Sequence, residues 1–203
     1  PAPTQFLIDL SNFMKTWWGL IGLGALIGAV VIAIEHVLVN DRSTDGTGEW
    51  LDALAARSKR VTVLHTERLP DNGLEAKARG IAHGIARATG EWILITDADG
   101  RVPRTWARHL MGRVGPQTAL VGGAGVVAPQ HWWGAFERAT WAFLQGINFG
   151  GAGWRLPVVL IGPNMGIRRA VYVAAGGLER ARFRIAEDLA LFRMGRDRGG
   201  VVD

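Results

Sequence analysis

The sequence predicts an α/β fold in which helices cover a sheet of mainly parallel strands. Short apolar segments of strand length alternate with segments of helical periodicity from residue 36 onward, and this alternation is typical of layered α/β domains. The 203 residues suit one such domain with an appended segment, and a content of 48% hydrophobic residues is enough for a substantial core. An uncharged stretch near the N terminus predicts a membrane helix ahead of the domain.

The uncharged stretch spans Trp17 to Ile34 and lies at the lower length limit for a membrane-spanning helix. Trp17 and Trp18 suit a lipid interface, with Lys15 just outside it. Positive charge is richer after the stretch than before it, so the positive-inside rule places the rest of the chain in the cytoplasm. We therefore expect residues 1–35 to anchor the protein in the bacterial inner membrane. The alternative is a buried helix followed by a strand.

The rest of the chain divides into strands and helices by its periodicity. We expect strands at residues 36–40, 61–65 and 91–96, and helices at residues 49–57 and 74–89. In parallel sheets, ligands bind beyond the carboxyl ends of the strands. The polar side chains that follow the first and third strands are therefore expected at one edge of the sheet.

Asp97 and Asp99 directly follow the third strand. In an extended backbone, residues i and i+2 point to the same side, so the two carboxylates would converge. Two like charges this close need a cation or a proton between them, and Mg²⁺ or Mn²⁺ prefers such oxygen ligands. The pattern predicts a metal site, although Asp-Ala-Asp-Gly is also a common turn sequence.

The composition narrows the classes of partner. The net charge is +5 and the isoelectric point is about 10.6, which favours anionic ligands or an acidic membrane surface. The arginines are scattered and no nucleic-acid-binding motif is present, so no nucleic-acid partner is expected. The chain has no cysteine, which excludes disulfides and thiol catalysis, and its histidines lack the spacing of a zinc site.

Several separated motifs resemble the family 2 inverting glycosyltransferases, which have the GT-A fold. The motifs are HVLVNDRSTDGT, NGLEAKARGIAHGIARATGEWILITDADG, GPNMGIRRAVYVAAGGLE and IAEDLALFRM. The resemblance covers about residues 36–203 and implies a Rossmann-like nucleotide-diphospho-sugar transferase sheet. It further implies Mg²⁺ or Mn²⁺, a nucleotide-sugar donor, and a lipid or glycan acceptor used in cell envelope biogenesis.

The resemblance also implies roles for individual residues. Asp41 would contact the nucleoside, Lys77 would lie near the donor phosphates, and Asp97 would contact the ribose. Asp99 would be the better metal ligand, with Asp97 beside it. Asp188 would be the base that takes the proton of the acceptor hydroxyl, while the metal stabilises the departing diphosphate.

Secondary roles are expected for Glu187, Arg168 and Asn164, with Arg168 as a phosphate contact. Without the resemblance, Glu187 and Asp188 would be interpreted as first-turn acids that favour the helix dipole, and Lys77 as a solvated helix lysine.

The chain also departs from the family pattern. The usual first strand, with its loop and helix, is not found before the Asp-x-Ser turn, and the domain is expected to be truncated at its C terminus. Residues 1–35 resemble the type II secretion system F (pilus assembly platform) family. A non-enzymatic fragment of a secretion platform and an inactive glycosyltransferase-like fusion are therefore the alternatives. A nucleotidyltransferase would need a glycine-rich phosphate loop near the start, and none is present.

An aromatic segment, HWWGAFERATWAFLQG, spans residues 131–146. Trp133, Phe136, Phe143 and Leu144 have partial helical spacing within it. This pattern favours either a core-packing helix or an interfacial helix that contacts lipid or a lipid-linked acceptor.

Overall fold

The computed structural model describes residues 34–128, 131–154, 162–181, 186–197 and 201–202. All of them fall in the unit formed by residues 34–203. Apart from Ile34, the predicted membrane segment Trp17 to Ile34 lies outside the described residues and stays a prediction. In the part of the chain that the structure describes, no helix has both the length and the apolar character needed to span a bilayer.

The first sheet contains two parallel strands joined by a helix. β1 (His36–Asn40) pairs with β2 (Val61–His65), with His36 opposite Val61 and Asn40 opposite His65. The connecting helix α1 (Thr47–Arg57) begins two residues earlier than predicted. Both strand predictions are confirmed, because the apolar runs and the polar turn after each are local signals.

The second sheet is mixed, so the expectation of parallel strands holds only in part. Its order is β3-β5-β4-β6. These strands are β3 (Trp92–Ile95), β4 (Thr118–Gly122), β5 (Met165–Arg168) and β6 (Val201–Val202). β5 lies antiparallel to both β3 and β4, while β4 and β6 are parallel. β5 inserts between two strands that share one direction, and nothing in its four residues specifies the opposite direction.

The remaining helices pack around these sheets. They are α2 (Ala76–Arg87), α3 (Trp106–Met111), α4 (Gly134–Gly153), α5 (Arg169–Ala175) and α6 (Glu187–Arg196). Helix α2 is shorter than the predicted 74–89. Its glycines Gly80 and Gly84 lie over Val39 of β1, where an added Cβ would meet the valine at 3.4 Å. These small residues let α2 pack closely on β1 while its other side, including Ala82, joins the core.

The core lies between the second sheet and helices α2, α5 and α6. Leu120, Ile167, Leu191 and Phe192 have no exposed surface. Helix α6 packs directly on β4 because position 195 is glycine, and a Cβ there would collide with the side chain of Leu120. The close packing of α6 fixes its N-terminal turn, which carries Glu187 and Asp188.

We expect the change Gly195→Ala to lower the free energy of unfolding by about 1–3 kcal/mol, because the new methyl group overpacks the contact with Leu120. The matched control is Gly146→Ala in α4, where an added Cβ meets nothing within 4 Å. The control should be neutral or stabilise the protein by up to about 1 kcal/mol through helix propensity. Urea unfolding of both variants measures the difference, and equal effects would contradict the packing argument.

Candidate functional site

Asp41 is held in place at the end of β1 by a residue from the end of β2. Its Oδ1 accepts a hydrogen bond of 2.6 Å from Thr66 Oγ1, and Arg42 Nε lies 3.4 Å from the same oxygen. The Thr66 bond lowers the pKa of Asp41 against the opposing effect of burial, and Arg42 and Arg79 lower it further. Asp41 is therefore an ionised, oriented acceptor at physiological pH.

A buried polar network supports the loop that carries Asp41. Asn40 Nδ2 lies 3.1 Å from His65 Nδ1, and His65 Nε2 lies 2.9 Å from Asp52 Oδ1. We assign the imidazole proton to Nε2, because the carboxylate is an acceptor only, and Nδ1 then accepts from the Asn40 amide. Asn40 Oδ1 accepts from the Ser43 amide at 3.2 Å and so shapes the turn. An asparagine, unlike an aspartate, supplies the donor that this neutral imidazole needs.

Asp45 shapes the same loop. Its Oδ1 accepts hydrogen bonds from the hydroxyl of Thr47 at 2.6 Å and from its amide at 3.1 Å. These bonds lower the pKa of Asp45. The carboxylate therefore supports the start of α1.

Lys77, in the first turn of α2, links two carboxylates from distant parts of the chain. Its Nζ lies 2.6 Å from Asp97 Oδ1 and 3.0 Å from Glu187 Oε1. Burial acts to lower the pKa of Lys77, but hydrogen bonds and charge interactions with Asp97 and Glu187 outweigh burial and raise it. Lys77 is thus a partly exposed cation shared by the end of β3 and the start of α6.

Asp188 joins the same cluster through Gly162. A Cβ at Gly162 would lie 3.4 Å from Asp188 Cβ and 3.7 Å from Lys77 Nζ, so both side chains lie beside Gly162. Asp188 Oδ1 accepts a hydrogen bond of 2.7 Å from the amide of Leu189. The structure therefore brings Lys77, Asp97 and Asp188 to one place, with Glu187 beside them.

Asp99 lies at the exposed tip of a turn. The amide of Gly100 donates to the carbonyl of Asp97 at 3.0 Å, so the chain turns after β3. The expectation that an extended backbone directs Asp97 and Asp99 to one side is therefore wrong. Among the described residues, no group of three or more histidine, aspartate or glutamate side chains forms a metal-binding arrangement.

Asn164 fixes the loop beside Gly162. Its Oδ1 accepts from Trp106 Nε1 at 2.8 Å, and its Nδ2 donates to the carbonyl of Ala124 at 2.8 Å. Its own carbonyl accepts from the amide of Gly123 at 3.0 Å. Asn164 is therefore a positioning residue for the loop rather than a free ligand.

Arg168 lies away from the cluster, which corrects the expectation of a phosphate contact. It pairs with Trp92 at the amino end of β3, whereas Asp97 follows the carboxyl end. Its guanidinium contacts Glu91 Oε1 at 2.6 Å and lies 5.1 Å from the centre of the Trp92 ring. It also donates to two carbonyls in and beside β4. All of these contacts join strands of the second sheet.

Sequence reasoning missed the roles of Thr66 and Arg79, because both act through tertiary contacts. A second missed feature is the backbone next to the site. Arg42 and Ala76 have positive φ angles of 60° and 46°, which is uncommon for non-glycine residues. They are adjacent to Asp41 and Lys77, and strained backbone of this kind concentrates at functional sites.

Comparison with known protein families decides what kind of domain this is. The model of the family described as "Glycosyl transferase family 2" matches residues 31–174, which is more than half of the chain. The chain belongs to glycosyl transferase family 2. The matched residues include Asp41, Lys77, Asp97 and Asp99, whereas Asp188 lies beyond them.

Individual relatives agree with this family 2 assignment. Glycosyltransferase GlyG of Streptococcus pneumoniae serotype 4 (strain ATCC BAA-334 / TIGR4) is 40% identical over 88 residues, which are 43% of this chain and 28% of that protein. The mannosyltransferase PcManGT from Pyrobaculum calidifontis, solved in complex with GDP-Man and Mn²⁺, superposes with a TM-score of 0.58 at 18% identity. That match covers 83% of this chain and 44% of the solved chain, and it supports a GT-A-like α/β fold.

The family 2 chain thus spans less than a third of the curated relative and less than half of the solved one. The likeness of residues 1–35 to the type II secretion system F family finds no support in these comparisons and stays a prediction.

Proposed function

We propose that this family 2 domain is a metal-dependent inverting glycosyltransferase. It transfers a sugar from a nucleotide-sugar donor to a lipid or polysaccharide acceptor at the cytoplasmic face of the bacterial inner membrane. The observation that carries the proposal is the convergence of Lys77, Asp97, Glu187 and Asp188 from three separate elements. An inverting transfer needs a base on the acceptor side and positive charge on the leaving-group side.

The donor would bind beyond the ends of β1 and β3. Asp41 is ionised and oriented by Thr66, so its carboxylate is suited to accept a hydrogen bond from the nucleoside. Asp97 lies beyond β3 and suits the ribose. Lys77 places a fixed cation beside Asp97, where it would offset the charge of the diphosphate.

A divalent ion fits the residues present after β3. Asp97 Oδ1 is buried and pairs with Lys77 Nζ at 2.6 Å. Asp99 is an exposed carboxylate in the same turn. Mg²⁺ and Mn²⁺ bind through one or two carboxylates together with substrate phosphates. Such an ion would stabilise negative charge on the departing diphosphate.

Asp188 would accept the proton of the attacking hydroxyl. It lies in the first turn of α6, beside Gly162. Lys77 Nζ lies beside the same glycine, so the proposed base and the cationic group are near each other. Glu187 is held by Lys77 and so would orient that lysine rather than take the proton.

Metal dependence predicts a specific defect in the variant Asp99→Ala. We expect Mn²⁺ affinity, measured by calorimetry in the presence of the nucleoside diphosphate, to fall about 100-fold, because one of the two carboxylates is lost. Donor turnover should fall in parallel, and EDTA should abolish turnover by the wild-type protein. The matched control is Asp71→Ala, an exposed turn aspartate that accepts a hydrogen bond from the amide of Gly73. Equal Mn²⁺ binding by both variants would overturn metal ligation by Asp99.

One observation favours the alternative of an inactive glycosyltransferase-like fusion. In the described part of the chain, β1 pairs only with β2, β3 pairs only with β5, and no strand joins the two sheets. Calorimetry of the full chain with UDP- and GDP-sugars in the presence of Mn²⁺ separates the two possibilities. Binding supports the transferase, whereas absent binding by a folded protein supports the inactive fusion. Absent binding together with co-purifying secretion components would favour the secretion-platform alternative.

A further inference from the structure

Helix α4 has its polar and apolar sides reversed relative to an ordinary surface helix. The side that packs on the domain carries Gln145, which is 5% exposed, together with the half-buried Trp141. Phe136 is 76% exposed and Phe143 is 68% exposed on the other side. Surface helices normally turn their apolar stripe to the core, so this exposed face calls for an apolar environment outside the domain.

The exposed apolar residues line most of the outer side of α4, with the exposed Thr140 among them. Phe136, Phe143, Ile147 and Trp154 recur at spacings of seven, four and seven residues, which places them on one side of an α-helix. Further exposed apolar residues widen this side to more than half of the circumference: Ala139, Ala142, Leu144 and Phe149. We call these eight residues the α4 apolar face.

Charges are confined to one end of the helix. Glu137 and Arg138 lie near its start, and no charged residue occurs from Ala139 to Trp154. With 100° per residue, Arg138 falls beside Gln145, and Glu137 falls at the margin of the α4 apolar face next to Leu144. From Ala139 onward, about 22 Å of the helix is free of charge.

Hydrogen bonds connect α4 to the site. Gln145 exchanges two hydrogen bonds with the backbone of Gly125, one of them at 2.7 Å from the Gly125 amide, and Trp141 Nε1 donates to the Gly125 carbonyl at 3.1 Å. The preceding residue, Ala124, accepts from Asn164, which is two residues from Gly162. The helix is thus connected through Ala124 and Asn164 to the loop of Gly162, which lies beside Asp188 and Lys77.

We propose that α4 lies in the headgroup region of an anionic phospholipid bilayer, with the α4 apolar face turned toward the acyl chains. Exposed tryptophans lie at both ends, Trp132 and Trp133 before the helix and Trp154 at its end, as in helices that rest at a membrane interface. An open depression of about 370 Å³ beside the first half of α4 adds further apolar surface. The net charge of +5 complements anionic lipid.

The width of the face argues for lipid rather than a second copy of the chain. A protein groove that binds a helix contacts a stripe of anchors at i, i+4 and i+7, whereas this apolar surface wraps more than half of the helix. A bilayer surface accommodates that width. The inference rests on the proposed function in one respect only, which is the nature of the acceptor. With α4 at the membrane, a lipid-linked acceptor would lie beside the loop of Gly162.

The chain has no cysteine, so a single introduced cysteine can carry a fluorescent label. The test compares Ile147→Cys on the α4 apolar face with Trp50→Cys, which lies at an exposed aromatic position (64%) on α1. Both full-length variants carry an environment-sensitive nitrobenzoxadiazole label. They are mixed with vesicles of phosphatidylcholine and phosphatidylglycerol, with and without nitroxide-labelled lipid.

We expect the label at position 147 to gain several-fold in emission and to be quenched by the nitroxide lipid, and the label at position 50 to change in neither respect. Because the reporter sits on α4 itself, association of another part of the chain with the vesicles does not produce this difference. Equal responses at the two positions would overturn the proposal. The proposal would also be overturned if, without vesicles, the label at position 147 became more shielded as the protein concentration increased. That result would indicate that a second copy of the chain covers the α4 apolar face.

Failure of this inference is distinguishable from failure of the proposed function. If the label at position 147 does not contact lipid but the protein turns over donor, only the membrane assignment of α4 is refuted. If the label contacts lipid but the protein does not turn over donor, only the proposed transferase function is refuted.

Discussion

Replacing Asp188 by asparagine is expected to lower kcat for sugar transfer by about 10²- to 10⁴-fold, which is the usual contribution of a general base. Asparagine keeps the size of the side chain and its acceptor oxygen for the Leu189 amide, so the fold should persist. The lost function is the capacity to take a proton from the acceptor hydroxyl. Donor KM should change little, because Lys77 still holds Asp97 and Glu187.

The matched control for this change lies at the other end of the same helix. Asp197→Asn removes an exposed carboxylate that pairs with the neighbouring Arg196. Steady-state kinetics with varied donor and acceptor should show wild-type kcat for Asp197→Asn. The role of Asp188 as base is refuted if Asp188→Asn keeps the kcat and the acidic limb of the pH profile of the wild-type protein.

Replacing Lys77 by methionine is expected to reduce kcat/KM by about 100-fold. The change leaves Asp97 and Glu187 without their shared cation, and the two carboxylates then repel each other and the donor diphosphate. Lys77→Arg should recover part of the activity, because the charge is retained. The control is Lys59→Met, which removes an exposed lysine after α1.

The same variant predicts a pH-dependent loss of stability. The pKa of Lys77 is raised in the folded protein, so its ion pairs stabilise the fold below the ordinary lysine pKa and lose that effect as the pH rises through the raised value. Urea unfolding should therefore show Lys77→Met less stable than wild type at pH 7, with the difference shrinking in strongly alkaline solution. A difference that grows at alkaline pH would contradict the ion-pair assignment.

Local sequence signals predicted most of the elements that form the site. The strands at residues 36–40 and 61–65 were predicted with their bounds, because apolar runs and polar turns are local properties. Asp97 and Asp188 were identified through motifs, and the structure places both beside Lys77. The pairing of Lys77 with Glu187, some hundred residues away in the chain, could not be predicted locally because it depends on the tertiary fold.

Other features had no local signal. The direction of β5 depends on where the chain re-enters the sheet, and its four residues carry no information about that. Arg168 was misplaced for the same reason, because the antiparallel register puts it at the amino end of β3. The sequence left open whether α4 packs in the core or at an interface, since periodicity identifies a face but not which side meets the protein.

The division of the strands into two sheets has a consequence for handling the protein. In the described part of the chain, the outer edges of β1, β2, β3 and β6 carry backbone amides and carbonyls without a strand partner. Such edges are templates for the addition of foreign strands, and exposed pairs of them drive self-association into β-rich aggregates. The solubility of this domain in isolation therefore depends on how these edges are covered.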